Sequence, residues 1–407
     1  MKKYFKLFFT FFSAFLLASC VRISSTSVSQ VSAPNTSNKM ALRIYKELPV
    51  YAQAAKMQWK PIQMNVPMKI GKHDNHIPII RARLIALHFL PAGDDQNTLF
   101  NSQLSHAISQ FQFCNGLNQT GVIDQATLNA LNITPAQRYN ELVRSMNDWA
   151  KYPEDANSRY VQVNIPSYTM HLVSHGENIL HMRVIVGRPS RPTPTMTSKI
   201  TTIVFNPTWT VPKTILSRDV IPGMRENPNY LKEHYDMRVY ANYEKNAPEI
   251  NPSTINWQTA TLSTFPYRVT APASDVNPLG RIKFIFENDQ DIYMHGTPDT
   301  ALFAQHYRAK SSGCIRLENP MALVEYFYVD NNDLNAELVN QYLSTRETKY
   351  IQLRNPMPVY ITYIPAWIDN DGHAHFSQNI YDRSGASANT ESTDTFNDGN
   401  FFGNVYF

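Results

Sequence analysis

Two periodicities divide the chain. Between residues 77 and 131 apolar positions recur at helical spacing. "IPIIRARLIALHFL" reads as a helix from Ile77, and "QLSHAISQFQF" sets Leu104, Ala107, Ile108 and Phe111 at i, i+3, i+4 and i+7. Gly116 stands just past that helix, Gly121 in a turn, and Asp124 is placed to cap a further helix that carries Leu128 and Leu131 inward. Thr134-Pro135-Ala136-Gln137 has the form of a capping box with proline at the first helical position. It starts a helix through Tyr139, Leu142, Val143, Met146 and Trp149.

From Arg159 the period drops to two. "RYVQVNIPSYTMHLV" alternates, "SHGEN" turns, and "ILHMRVIVG" and "KITTIVFNPTWTVP" follow. Ile282, Phe284 and Phe286 line one face of "RIKFIFEN", and "DIYMH" is a short strand. The expected fold class is therefore multidomain α+β. A mainly-β body over 159–365, a sandwich or curved sheet, follows a small three-helix domain over 76–135 and a connecting helix in 136–158. A Pro- and Tyr-rich insertion at about 212–278 is long enough to be a lid. Residues 20–75 read as a tether and reduced scaffold, because the Ser/Thr-rich start shows weak periodicity and residues 48–74 are Pro-broken. The extension 366–407 ends in a polar stretch expected to be partly disordered.

Composition narrows the function. A length of 407 residues implies two or three compact units, and 43% hydrophobic residues can fill their cores. The net charge of +4 is mild, and no Lys/Arg-rich run is interleaved with aromatics, which argues against nucleic acid as a partner. Lysines 2, 3 and 6 precede an uncharged stretch from Leu7 to Ala18, the pattern of a signal peptide over 1–19 and shorter than a membrane span. Leu17-Ala18-Ser19-Cys20 resembles the bacterial lipobox. That resemblance implies lipidation of Cys20, and Val21 rather than Asp implies sorting to the outer membrane, on its periplasmic side.

Three cysteines are few for an exported chain. With Cys20 assigned to lipid, Cys114 and Cys314 remain, and both are expected as free thiols. Cys314 lies in "KSSGCIRLENP". A thiol attacks as its thiolate, so it needs a neighbouring base or positive charge. His295, 19 residues upstream (314 − 295), ends the strand "DIYMH". Gly296 leaves a carbonyl accessible to one ring nitrogen, which would turn the other toward sulfur. Gly313 permits a backbone bend before Cys314, and amides in the Ser312-Gly313-Cys314 turn are candidate oxyanion donors. Arg316 either grips a substrate carboxylate or holds the loop. Trp209 and Tyr293 are read as core rather than cleft. His171, His175 and His181 around a hairpin lack a completing carboxylate or cysteine, and "DGHAH" at 371–375 reads as a turn. "DNNDLN" at 330–335 lacks the glycine and distal glutamate of a calcium loop. No metal and no cofactor are expected, and nothing in the pattern sets the oligomeric state.

"MHGTP…ALF…YRAKSSGCIRLENP" is similar to the signature of the L,D-transpeptidase (YkuD-type) catalytic domain. The likeness extends over about 159–381 through "RYVQVNIPSY", "VGRPSRPTP", "NPTWTVPKTI", "NPLGRIKFIFEN" and "PAWIDNDGHAHFSQNIYD". The order FQ…GL…GV-x-D-x-x-T-x-x-x-L resembles the three-helix peptidoglycan-binding domain. Together they resemble the large periplasmic branch of the family. Most of the superfamily carries Ser-His-Gly-Cys where this chain has Ser311-Ser312-Gly313-Cys314, a form that the large branch shares. The resemblance implies Cys314 as nucleophile, His295 as proton donor and acceptor, and peptidoglycan stem peptides as substrate. The reaction implied is 3→3 cross-linking between diaminopimelates with loss of D-Ala, and carbapenems would acylate Cys314. Hydrolysis by an L,D-carboxypeptidase, transfer to a lipoprotein lysine, and a non-catalytic wall tether remain alternatives.

Overall fold

The computed structural model describes residues 31–93, 96–330 and 334–381. The signal peptide, Cys20, the polar end beyond residue 381 and part of "DNNDLN" lie outside the described residues. Among the described residues no helix is long and apolar enough to cross a membrane.

Five helices precede the sheet: α1 (Lys39–Ala54), α2 (Ile77–Ala86), α3 (Ser102–Cys114), α4 (Gln125–Asn132) and α5 (Pro135–Trp149). In α3 the i, i+3, i+4, i+7 stripe is buried, and Asn101 caps the helix by accepting the Leu104 amide at 2.9 Å. Asp124 caps α4 by accepting the Thr127 amide at 2.8 Å. Thr134 and Gln137 form the reciprocal box at the start of α5. Helices α2 to α4 share one core with Phe100 and Ile123 at its centre.

The tether expected over 20–75 needs correction. Its middle contains α1, capped by Asn38 onto the Ala41 amide at 2.8 Å. Ala41, Ile44, Leu48 and Tyr51 bury against Tyr139, Leu142 and Trp149 of α5. Pro49 inside this helix removes one backbone bond, and packing against α5 outweighs that loss.

The β body contains β1 (Arg159–Asn164), β2 (Thr169–Ser174), β3 (Glu177–Gly187), β4 (Met196–Phe205), β5 (Trp209–Thr210), β6 (Arg238–Tyr240), β7 (Glu249–Ile250), β8 (Arg268–Ala271), β9 (Ile282–Phe286), β10 (Met294–His295), β11 (Ala309–Ser311), β12 (Ile315–Leu317) and β13 (Lys349–Thr362). A hairpin of β14 (Ala366–Ile368) and β15 (Ala374–Phe376) follows. The main sheet runs β11-β3-β12-β10-β9-β4-β13-β1-β2, and a β2–β3 pairing closes it. The closure comes from β3, which pairs β2 along its first half and β12 at Val184 and Ile185. One strand that changes neighbours turns the expected curved sheet into a barrel-like ring. Val161, Val163, Val184, Ile203, Phe205, Phe284, Met294 and Ile315 fill the interior. Each such residue contributes about 1.5–3 kcal/mol on burial.

The insertion is more than a loop. Strands β5 to β8 form a separate four-stranded sheet, and Trp209, Leu216, Val220, Met224, Val239 and Val269 give it a core of its own. The hairpin β14–β15 packs with α1 and α5, so the extension expected from residue 366 begins as ordered structure.

Candidate active site

Two short parallel strands set the site. β10 lies between β9 and β12, with His295 registered opposite Lys283 on one side and Arg316 on the other. Met294 and Ile315 point into the barrel and are fully buried. Strand alternation therefore puts Lys283, His295 and Arg316 together on the opposite face, beneath the inserted unit. Tyr293 packs against the core of that unit, and its ring centroid lies 5.5 Å from that of His295.

His295 is 4% exposed, and its Nδ1 donates to Gly296 O at 2.5 Å. Burial, aided by the charges of Arg316 and Lys283, pushes its pKa down to about 3. The resting imidazole is neutral, with Nε2 free of a proton once Nδ1 holds it. A second glycine supports this arrangement. Gly280, at φ +64, lets the chain approach the Gly296 peptide so closely that a Cβ would lie 2.8 Å from Gly296 C.

Cys314 sits on the turn between β11 and β12, partly exposed and free. Ser311 Oγ donates to Cys314 O at 2.5 Å and accepts the Gly313 amide at 3.2 Å. Thr193 Oγ donates to Gly313 O at 2.7 Å. Gly313 has φ +116, a region that disfavours side chains, and a Cβ there would meet Ile292 at 3.3 Å. The Gly313 amide, expected as an oxyanion donor, is thus already committed to Ser311. Ser312 Oγ accepts from Arg191 at 2.9 Å, and Arg191 also forms a two-pronged pair with Asp219 of the inserted unit at 2.6 and 3.0 Å. Ser312 therefore ties the thiol turn to the lid. Arg316 is 6% exposed and pairs with Asp299 at 3.3 Å, so its guanidinium is held rather than offered to solvent.

The sulfur donates to Asp291 O at 3.6 Å, and Tyr293 hydrogen-bonds it through backbone and side chain. His295 is not among its hydrogen-bond partners here, although both residues flank the same β10–β12 register. Burial raises the thiol above its ordinary range, while the Tyr293 bonds and the Lys283 and Arg316 charges oppose that rise. Tyr293, expected in the core, therefore belongs to the site. Trp209 hydrogen-bonds it from the lid.

Lys283 was missed by sequence reasoning. Its Nζ lies 3.6 Å from the Tyr293 ring centroid, and its charge reaches the sulfur. The signal was present: alternation that buries Ile282, Phe284 and Phe286 must turn Lys283 to the other face, beside the histidine strand. Asp291 was missed too. It adopts φ +54 in a turn tied by the Asn288 side chain, which aims its carbonyl at the thiol.

The other candidates lie apart. His171 and His181 face each other across β2 and β3, their rings 4.8 Å apart, while His175 contacts Ser174. "DGHAH" does begin in a turn, but it also brings His375 to Cys114 of α3 at 3.6 Å.

A thiol on a glycine-bent turn beside a strand-end imidazole, set on a barrel-like sheet, defines a cysteine–histidine class of site. The comparisons narrow it. Residues 158–339 match the YkuD family, described as "L,D-transpeptidase catalytic domain", and residues 74–131 match "Putative peptidoglycan binding domain". The β body thus carries the likeness to an L,D-transpeptidase catalytic domain, and the helical unit before it the likeness to a peptidoglycan-binding domain. A Haemophilus influenzae protein named "Putative L,D-transpeptidase" is 36% identical over 208 residues. That alignment covers 51% of this chain and 41% of the relative, so the chain spans under half of that relative's length. Among solved structures, an L,D-transpeptidase from Mycobacterium smegmatis aligns at 13% identity and TM-score 0.23, covering 50% of this chain and 59% of that one. One from Xylanimonas cellulosilytica aligns at 11% identity and TM-score 0.24, covering 74% and 100%. Likeness at that level carries no argument about activity.

Proposed function

We propose that this protein forms 3→3 cross-links in peptidoglycan through a cysteinyl thioester, releasing D-Ala. The observation that carries the reading is the placing of Cys314, on its Gly313 turn, at the start of a strand that pairs with the strand of His295, whose Nδ1 is locked on Gly296 O. Both partners are neutral at rest, so the thiol proton must move during attack. Cys314 Sγ bonds to the carbonyl carbon of meso-diaminopimelate in a donor tetrapeptide, and its proton passes to His295 Nε2. Lys283 and Arg316 favour the thiolate as the proton leaves. An imidazole that resists protonation gives the proton up readily to the departing D-Ala amine as the peptide bond breaks. The side-chain amine of a second stem then attacks the thioester and loses a proton to His295, and the sulfur leaves. The Cys314 amide, unlike that of Gly313, is the backbone donor proposed for the oxyanion.

The helical domain supports a wall polymer as substrate. The lipobox at Cys20 supports a lipid anchor on the periplasmic face of the outer membrane, which palmitate labelling of wild type but not Cys20→Ala would test. Incubation of purified protein with disaccharide tetrapeptide tests the reaction itself. Cross-linked dimers are expected, tripeptide alone would assign the site to hydrolysis, and unchanged substrate would leave a non-catalytic wall protein.

A further inference from the structure

The second buried cysteine stands in a cluster of its own. Cys114 ends α3, while Asp369 follows β14 and His375 lies within β15, on the far side of the catalytic domain in sequence. Cys114 Sγ lies 3.6 Å from His375 Nε2, and Asp369 Oδ2 lies 2.8 Å from the same nitrogen. Cys114 and His375 are 3% and 5% exposed, and the three donor atoms fall within 4.8 Å of one another.

A single ring nitrogen cannot serve both of these contacts at once. With a proton on Nε2 the ring donates to the carboxylate at 2.8 Å and cannot accept from the thiol. Without one, Nε2 accepts from the thiol but turns a lone pair on a carboxylate 2.8 Å away. A catalytic triad is excluded as well, because the carboxylate would have to hold Nδ1 and leave Nε2 to sulfur. Three electron-pair donors converging on one small volume suit a shared divalent cation. Thiolate, imidazole and carboxylate are together the donor set of zinc.

We propose that Cys114, Asp369 and His375 form a zinc site that clamps the helical domain onto the hairpin behind the catalytic domain. Binding exchanges the thiol proton, released to solvent, for the metal, with no change of oxidation state. The surroundings fix the donors as a metal site requires. Asp369 Oδ1 accepts the Asp371 and His373 amides at 3.0 and 2.9 Å. The His375 ring stacks on Trp367 at 5.2 Å and takes the edge of Phe113 at 5.0 Å. Three protein ligands leave a fourth position for water.

The test uses the full chain, loaded with zinc and dialysed, alongside Cys114→Ser, His375→Gln and Cys314→Ser. One zinc per chain is expected in wild type and in Cys314→Ser. Binding should be more than ~100-fold weaker in the other two variants. Cobalt in place of zinc should give a thiolate charge-transfer band that Cys114→Ser lacks. Should that variant fail to fold, X-ray absorption of zinc-loaded wild type serves in its place: one sulfur at about 2.3 Å with lighter atoms near about 2.0 Å. No retained zinc, zinc without a sulfur neighbour, or zinc lost only in Cys314→Ser would overturn the proposal.

Discussion

Cys314 and Cys114 are both free thiols that burial raises above their ordinary range, yet their surroundings point in opposite directions. Around Cys314, Tyr293 hydrogen bonds and the positive Lys283 and Arg316 oppose the effect of burial. Around Cys114 the carboxylate of Asp369 adds to it, and the thiol is pushed up to about 12. The backbones differ as well. Cys314 rides a bent turn at the rim of a sheet, whereas Cys114 closes a regular helix inside a domain contact. Reactivity thus follows from charge and access rather than from residue type. On the proposals made above, one thiol is spent in chemistry and the other is held by a metal.

The sharpest way to break this contrast is to exchange the roles by mutation. Cys314→Ala should lower dimer formation from disaccharide tetrapeptide roughly ten-thousand-fold and abolish the meropenem mass adduct. Cys114→Ala should stay within about threefold in the same assay. Comparable losses in both would erase the distinction. His295→Gln comes next, with an expected loss of roughly 10²- to 10⁴-fold in turnover at unchanged fold by circular dichroism.

Lys283→Met isolates the charge. Removing a cation from beside the sulfur raises the thiol further, so alkylation of Cys314 by iodoacetamide at neutral pH should slow about tenfold. The rate at Cys114 should not move. Gly280→Ala places a Cβ 2.8 Å from the Gly296 peptide at φ +64, costing about 1–3 kcal/mol in thermal unfolding and loosening the histidine.

A last prediction concerns pH. His295 is held at about 3, below its ordinary 6.5, so between those values the unfolded chain binds the proton and the folded one does not. Its contribution to stability is present above 6.5 and is lost as the pH falls toward 3. Denaturant midpoints of wild type and His295→Gln should therefore keep a constant separation above 6.5, and that separation should shift as the pH falls from 6.5 toward 3. Parallel curves would mean that the imidazole is not buried neutral.

Much of this was legible in the residues. The stripe of Leu104, Ala107, Ile108 and Phe111, the caps at Asp124 and Thr134, and the alternation of Ile282, Phe284 and Phe286 all encode local structure through spacing. The His295–Gly296 dipeptide announced its own hydrogen bond. What escaped depended on contacts distant in sequence. Helix α1 contains Pro49 and is held by α5, about a hundred residues further on. The barrel closes because β3 changes partners midway, which alternation cannot reveal. The Gly313 amide looked available until Ser311 folded back onto it. Tyr293 looked like core because an aromatic in a strand usually is, and only the register beside Cys314 assigns it to the site. Cys114 and His375 meet across 261 residues, a proximity that no motif spells.

Rapid quenching of the purified protein with disaccharide tetrapeptide, followed by intact-mass and peptide mapping, bears most directly on the central claim. The account predicts a tripeptide-bearing acyl adduct on Cys314, short by one D-Ala and released when an amine acceptor is added. Dimers formed by Cys314→Ala, or an adduct mapped to Cys114, would contradict it.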